Sequence, residues 1–591
     1  MIADAPNLNA LWAELIIEEL IRNGVDCFVI SPGSRSAPLT VAAARNPRAK
    51  TVVHYDERGA AFFALGVAKA LGGPCALICT SGTAVANYFP AIVEASMSYV
   101  PLVVLTADRP PELQNAGANQ TINQTHIYGP YVRHFAAMPC PDAQIPLEFV
   151  LTTVDHAVFA ARRSPPGPVH VNCAFREPLA TDGEPGKRCA DSIRSWADSN
   201  SPYTTHADSM IDLDRGAVGA LARTLKHDAK VLVVVGQNAN MDSRLGSIAV
   251  PLTSFDGWVV FADVTSGARL DEAGPVKSVS IDNYELLLHS PKFRDYCQPD
   301  VVIHCGGPVL SKRLQEHLAL VRPQYFMRVA SHPDRNDPYH RVTHRFRCSP
   351  EEFLSAWASK SEGPPSDWTL RLAIASERAH DALRKVSNDQ RKLSEPGLAI
   401  LIGQLLRESP NDAVYVGNSM PVRDLDMYGG FLPSGTRVVA NRGASGIDGN
   451  IATAAGYAKA CDGHVVAVIG DLAALPDLNS LALLKQEGVQ ITLIVINNDG
   501  GGIFHFLPIA EHKDVFEKYF ATPHGVHFED AARMFGLPYA RPATKDEFVE
   551  SYRKARASGG SSIIEVVTDR EENLKLHRRI SDAVVKALED L

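Results

Sequence analysis

Short runs rich in Val and Ile recur along the whole chain, and helix-like stretches separate them. "DCFVIS", "CALICTS", "PLVVLTA" and "PVHVNC" stand in the first part, and "KVLVVVGQNAN", "WVVFADV" and "DVVIHCGG" in the middle. "AVYVGNS", "RVVAN", "HVVAVIGD" and "ITLIVINND" close the series. The runs are nearly continuous in their apolar residues, as expected for strands covered on both faces by helices. This pattern restricts the fold to α/β units with mainly parallel central sheets. The first cycle shows the order of parts. "LWAELIIEELIRNG" reads as an amphipathic helix stopped by Gly24, "DCFVIS" as a strand, and "PGSRSAPL" as a loop opening the next helix.

A chain of 591 residues exceeds what one hydrophobic core supports. Two polar stretches rich in Pro, Gly and Ser divide it, one around residues 180 to 209 and one around 359 to 367. Three α/β domains are expected, at 1–185, 205–360 and 390–591.

Composition removes several classes of function. Lys and Arg total 58 against 67 Asp and Glu, a net charge of −9. That balance argues against a general nucleic-acid or membrane-surface role, so bound anions must meet local clusters of cations. No basic segment followed by an apolar core opens the chain, and no apolar stretch is long enough to span a bilayer. The ten cysteines are scattered without a CxxC pair. The expectation is a cytoplasmic protein with buried, reduced thiols and no metal–thiolate site.

The segment "HVVAVIGDLAALPDLNSLALLKQEGVQITLIVINNDGGG" reads as strand, turn, helix, strand, turn. Parallel strands joined by a helical crossover end at one edge of the sheet. Asp471 follows the first strand and Asn498 the second, so their side chains converge where open α/β sheets bind ligands. A carboxylate, an amide oxygen and a nearby backbone carbonyl form half of an octahedral oxygen site, and Mg2+ completes such a shell with phosphate oxygens and water. Glycines 500 to 502 would let backbone approach phosphate closely. Either piece alone is more often a helix cap or a turn. The pair at this spacing favours a site.

Gly-Asp followed by Asn-Asn after such an interval resembles the signature of thiamine-diphosphate enzymes. The resemblance implies thiamine diphosphate as cofactor, with Asp471, Asn498 and the Gly500 carbonyl as ligands of Mg2+, or of Mn2+ in its place. The broad pattern has Gly at the third position, where this chain has Leu472, which is not a ligand. It also implies a decarboxylase-like architecture. Residues 1–185 would bind the cofactor's pyrimidine, 205–360 would form a central domain, and 390–591 would bind diphosphate and metal.

Enzymes of this type carry a glutamate at a strand end of the first domain, and Glu57 in "HYDERGAAF" matches it. Read alone, Glu57 is better explained as pairing with Arg58 or capping the following helix, and its link to the site around Asp471 reverses that preference. The resemblance implies a catalytic role: a hydrogen bond to a ring nitrogen of the cofactor held by another subunit. A homodimer at least follows, with a homotetramer as the larger assembly.

Cations cluster at predicted strand ends. Ser34 and Arg35 lie in "SPGSRSAPL", and Arg109 and Gln120 in "LTADRPPELQNAGANQ". Lys312 and Arg313 lie in "LSKRL", Ser419 and Arg423 in "GNSMPVRD", and Arg442 in "ANRGASGIDG". Arginine suits bidentate binding of carboxylates, and several such sites in an acidic chain suggest more than one carboxylate to hold. These stretches, with "GDLAALPDLN", look like the 2-succinyl-5-enolpyruvyl-6-hydroxy-3-cyclohexene-1-carboxylate synthases of menaquinone biosynthesis. The resemblance covers all three domains and is weakest in the linkers and the central one.

It implies a transferase that decarboxylates 2-oxoglutarate and adds the resulting succinyl carbanion to isochorismate in a conjugate addition. The cations and polar residues named above would contact these substrates. Ile447 would support the cofactor, and Ile503 and Phe504 would wall the reacting carbon against water. A rival within the class is an acetolactate synthase or another 2-oxoacid decarboxylase, whose monoanionic pyruvate would not need as many cations. A non-catalytic α/β binding protein is the rival outside it.

Overall fold

The computed structural model describes residues 5–180, 190–207, 213–224, 228–237, 258–271, 279–358, 366–388, 392–433 and 436–591. They form two compact units. The first comprises Met1–Ser209, Asn441–Asp462 and Asp477–Val489, and the second Met210–Ala440, Gly463–Pro476 and Gln490–Leu591. Among the described residues no helix is long and apolar enough to cross a membrane.

The first unit is built on six strands: β1 Cys27–Ile30, β2 Lys50–Val53, β3 Cys75–Cys79, β4 Leu102–Asp108, β5 Phe135–Met138 and β6 Val169–Ala174. All neighbours are parallel, in the order β2-β1-β3-β4-β6-β5. β3, β4 and β6 are buried at every position, which is why they read as continuous apolar runs. Helix Leu8–Arg22 is less amphipathic than its sequence suggests. Eleven of its fifteen residues are buried, including Glu19. The expected first linker is also not wholly free, because Trp196 is buried against this unit. Residues 181–189 and 208–209 of that linker, and 359–365 of the second, lie outside the described residues.

Helix Glu57–Leu71 packs against helix Asn450–Ala460 in the same unit at backbone distance. A β-carbon on Gly66 would stand 2.0 Å from the Thr453 carbonyl oxygen, and one on Gly456 would stand 1.9 Å from that of Phe63. The two glycines face each other's helix reciprocally, and neither position accepts a side chain.

In the second unit, one sheet contains β7 Val231–Val235, β8 Val259–Ala262, β10 Val279–Ser280, β11 Val301–Cys305, β12 Tyr325–Ala330 and β13 His344–Arg347. Its order is β10-β8-β7-β11-β12-β13. The other sheet contains β14 Ala413–Val416, β16 Arg437–Val439, β17 Val465–Gly470, β18 Ile491–Asn497, β19 Tyr539–Ala540 and β20 Ser562–Val567, in the order β16-β14-β17-β18-β20-β19. A two-stranded pair, β9 Leu270–Asp271 with β15 Leu432–Pro433, completes the strands. Both six-stranded sheets are parallel throughout. The first and last sheets thus share one connectivity, which the middle sheet does not.

The cysteines follow expectation. Among the described residues nine are free thiols, eight of them buried.

Candidate active site

In the last sheet, strand order reverses between β14 and β17, and open α/β sheets bind ligands at the carboxyl ends of strands flanking such a reversal. Gly470 ends β17, and β18 pairs with it in parallel, so Asp471 and Asn498 leave neighbouring strands at one edge. The carboxylate of Asp471 is 2% exposed. Its Oδ2 accepts the backbone N–H of Asn498 at 3.1 Å and that of Gly500 at 2.9 Å, and Oδ1 accepts that of Leu472 at 2.6 Å. His524 adds a contact from Nε2 to Oδ2 at 3.1 Å.

Asn498 is buried, its Nδ2 donates to Oε1 of Glu395 at 2.9 Å, and its Oδ1 has no hydrogen-bond partner. Gly500 sits at φ 132°, a conformation closed to other residues, and a β-carbon there would stand 2.0 Å from the Ala521 carbonyl oxygen. The Gly500 carbonyl accepts the N–H of Gly502 at 2.9 Å across an inverse γ-turn at Gly501, with φ −79° and ψ 69°.

These donors fit a hard divalent cation. An unpartnered, buried amide oxygen one strand from a pinned carboxylate is a pair of hard oxygen donors of the kind such a cation takes. Among the described residues no cluster of three or more His, Cys, Asp or Glu could hold a metal. The oxygens gathered here, from a carboxylate, an amide and a backbone carbonyl, are of the kind that Mg2+ accepts together with phosphate.

A cavity of about 540 Å³ opens in the same unit, and Lys312, Arg313, Arg423 and Ile503 line it together with Met420 and Arg578. Arg313 donates from Nη1 to Oε1 of Glu285 at 2.6 Å, and Ser311 donates to the other oxygen. Burial raises the pKa of the Glu285 carboxyl, against the pull of Arg313. Lys312 is largely exposed and lies 3.7 Å from Glu316. Arg423 donates to the carbonyl of Ser419 at 2.5 Å, and Ser419 itself stands at φ 72° just after β14. Phe504 packs edge-on against Phe520, with ring centroids 5.7 Å apart.

The remaining predicted residues belong to the first unit. Asp56, not Glu57, caps helix Glu57–Leu71, accepting the N–H groups of Arg58 and Gly59. Glu57 is the first helical residue, half-buried, and its carboxylate has no hydrogen bond among the described residues. The buried residues of that helix begin at Gly59, after Glu57.

Arg35 is 3% exposed and donates to the Phe175 carbonyl at 3.0 Å. Burial and then the charge of Arg109 lower its pKa. Nε of Arg35 and Nε of Arg109 are both buried without partners. Arg35 follows β1 and Arg109 follows β4, with β3 between them in the sheet, and Arg35 also reaches Oε1 of Glu177 at 3.4 Å; a buried guanidinium N–H of this kind suits an anion. Asp108, at the end of β4, accepts the N–H of Arg109 at 2.7 Å and Nδ2 of Asn172 at 2.7 Å. Ser34 is exposed in the loop after β1. Gln120 uses Nε2 on the Ser81 carbonyl at 2.9 Å. Arg442 is half-buried, and Ile447 is 43% exposed.

Sequence reading missed Glu395, His524, Glu285 and Asp108. Glu395 follows Ser394 at a helix start, where acids are commonplace, and nothing in "SEPGLAI" signals a partner just after β18.

Three family models match the chain. Residues 12–127 match "Thiamine pyrophosphate enzyme, N-terminal TPP binding domain", and 187–413 match "Middle domain of thiamine pyrophosphate". Residues 428–566 match "Thiamine pyrophosphate enzyme, C-terminal TPP binding domain". The architecture and the site thus define a thiamine-pyrophosphate enzyme. Curated relatives narrow the class. The chain is 45% identical to 2-succinyl-5-enolpyruvyl-6-hydroxy-3-cyclohexene-1-carboxylate synthase of Rubrobacter xylanophilus, covering 97% of this chain and 98% of the relative. It is 45% identical to the enzyme of that name from Salinibacter ruber, covering 100% and 99%. For the one from Chlorobium phaeobacteroides the identity is 41%, covering 97% of each. The chain belongs to the family of 2-succinyl-5-enolpyruvyl-6-hydroxy-3-cyclohexene-1-carboxylate synthases.

Proposed function

We propose that the chain decarboxylates 2-oxoglutarate and joins the remaining four-carbon fragment to isochorismate by conjugate addition, using thiamine diphosphate and Mg2+. One observation carries the reading: Oδ1 of Asn498, buried and unpartnered, lies one strand from the pinned carboxylate of Asp471. Asp471, Asn498 and the Gly500 carbonyl would hold the metal, with Mn2+ able to replace it, and the metal would hold the diphosphate. The bound cofactor supplies the electron sink that lets a 2-oxoacid lose carbon dioxide.

The side chains of this protein bind, orient and exclude water. Both substrates are dicarboxylates, and two separate sets of cations are available. Arg35 and Arg109, with Ser34 and Gln120 nearby, form one. Lys312, Arg313 and Arg423, with Ser419, form the other. Arg442 is assigned to substrate contact and Ile447 to supporting the cofactor. Ile503 and Phe504 would form an apolar wall that keeps water from protonating the carbanion.

Glu57 would hold a proton at the pyrimidine ring nitrogen. The absence of a hydrogen bond to its carboxylate among the described residues, beside Val53 at 52% and Tyr55 at 57% exposure, supports a partner supplied by a second copy. We therefore propose a homodimer as the functional unit, capable of pairing into a tetramer. Residues 1–185 are assigned to the pyrimidine, 205–360 to a central domain and 390–591 to diphosphate and metal, in a cytoplasmic enzyme.

The test is to incubate the protein with thiamine diphosphate, Mg2+, 2-oxoglutarate and isochorismate and to identify the product by mass. Coupled product of the expected mass is the predicted result. Succinic semialdehyde alone, or acetolactate from pyruvate, would leave the class standing and remove the specific reaction.

A further inference from the structure

We propose that Glu395 is a positioning residue of the metal site, holding the Asn498 carboxamide with its oxygen turned outward to the cation. The inference rests on reading Asp471 and Asn498 as metal ligands. A carboxamide is nearly symmetric in shape but not in charge. Turned by half a rotation it would offer a cation its NH2 group, a donor without a usable lone pair. Something must therefore decide which face looks outward.

Glu395 decides it by occupying the other face. Its Oε1 lies 2.9 Å from Nδ2 of Asn498 and also accepts the Thr568 hydroxyl at 3.0 Å. An acceptor there bonds the NH2 group and would repel the amide oxygen. Glu395 is 1% exposed, so it cannot swing into solvent and release the amide. The first turn of helix Glu395–Arg407 fixes its backbone, because Ser394 caps that helix by accepting the N–H of Gly397 at 3.2 Å. Gly502 closes the box from the other side, where a β-carbon would stand 2.7 Å from Nδ2. Partners that orient metal ligands in this way typically change metal affinity about 10- to 100-fold when removed.

Two substitutions separate geometry from charge. Glu395→Gln keeps the reach and an acceptor oxygen but loses the charge. Glu395→Asp keeps the charge but is one methylene short. Mn2+ binding to the full chain with thiamine diphosphate, followed by the electron paramagnetic resonance signal of free Mn2+, is the readout. E395Q is expected to bind within about threefold of wild type and E395D at least tenfold more weakly. Equal losses in both variants, or E395D binding like wild type, would overturn the proposal while leaving the metal site intact. Should E395D fail to fold, as judged by its metal-free thermal midpoint, E395Q decides alone. Retained affinity supports the proposal, and a tenfold loss overturns it. A wild-type chain that takes up no Mn2+ removes the site itself.

Discussion

Trp196 donates its indole N–H to Oε2 of Glu19 at 2.5 Å, and Oε1 of the same carboxyl accepts the backbone N–H of Tyr203 at 2.5 Å. Asp155 adjoins it and accepts Nδ2 of Asn23 and the N–H of Thr204, each at 2.7 Å. The segment 196–204 is therefore fastened to the first unit by two neighbouring carboxyls. Burial, together with Asp155, raises the pKa of Glu19 to about 8. The folded chain then keeps a proton that the unfolded chain releases above its ordinary carboxylate range. This contribution to stability is complete in mild acid and declines as pH climbs to about 8. Stability, followed through the thermal midpoint, is expected to fall over that interval, with a ceiling on the free-energy slope of about 1.4 kcal/mol per pH unit for one proton. Glu19→Gln should flatten the profile, and parallel profiles for the two proteins would refute the proton retained on Glu19.

Glu57→Gln should preserve the fold, since Asp56 and not Glu57 caps its helix. Loss of one positioned acid–base group typically lowers turnover about 10²- to 10⁴-fold. The expected outcome is unchanged thermal unfolding and cofactor binding with turnover reduced on that scale. Near-normal turnover would remove Glu57 from the chemistry.

Gly500→Ala places a β-carbon at φ 132° and 2.0 Å from the Ala521 carbonyl. The backbone strain alone costs about 1–3 kcal/mol, and the displaced turn would carry the 500 carbonyl away from Asp471 and Asn498. Calorimetry should show a lower midpoint and no upward shift on adding thiamine diphosphate and Mg2+. A normal shift would show that this carbonyl is not a ligand.

Arg269 and Asp426 form a buried pair in the second unit, Nη2 to Oδ1 at 2.7 Å, and the hydroxyl of Tyr284 lies 3.1 Å from Oδ2. Burial lifts Asp426 to about 7 despite Arg269. Arg269→Met strands that carboxylate, which typically costs about 3–5 kcal/mol. Urea unfolding of R269M, D426N and the double variant checks this, since D426N in the R269M background should recover much of the loss. Additive losses would show that the two side chains act independently.

Much of this was legible in the sequence because it follows from strand ends. Parallel strands β17 and β18 bring Asp471 and Asn498 to one edge whatever the side chains elsewhere, so a local pattern was sufficient. Glu395 was not legible, because its contact with Asn498 depends on how helix Glu395–Arg407 packs near β18, which no spacing encodes. Which acid caps helix Glu57–Leu71 was not legible, for a related reason. Asp56 and Glu57 are both acids at a helix start, and only the β-region φ of −101° at Asp56 tells which one turns back onto the backbone. The assignment of 441–462 to the first unit was equally hidden, since it comes from the fit of Gly66 and Gly456 in helices far apart in sequence.

That fit reaches beyond packing. Where main chain rests on main chain, no side chain can act as a spacer, so the offset between the two helices resists mutational drift at other positions. Glu57 begins one helix, and the loop bearing Arg442 and Ile447 leads into the other. The starting points of these two helices are thereby held in one register, and substitutions elsewhere on their surfaces leave that register in place.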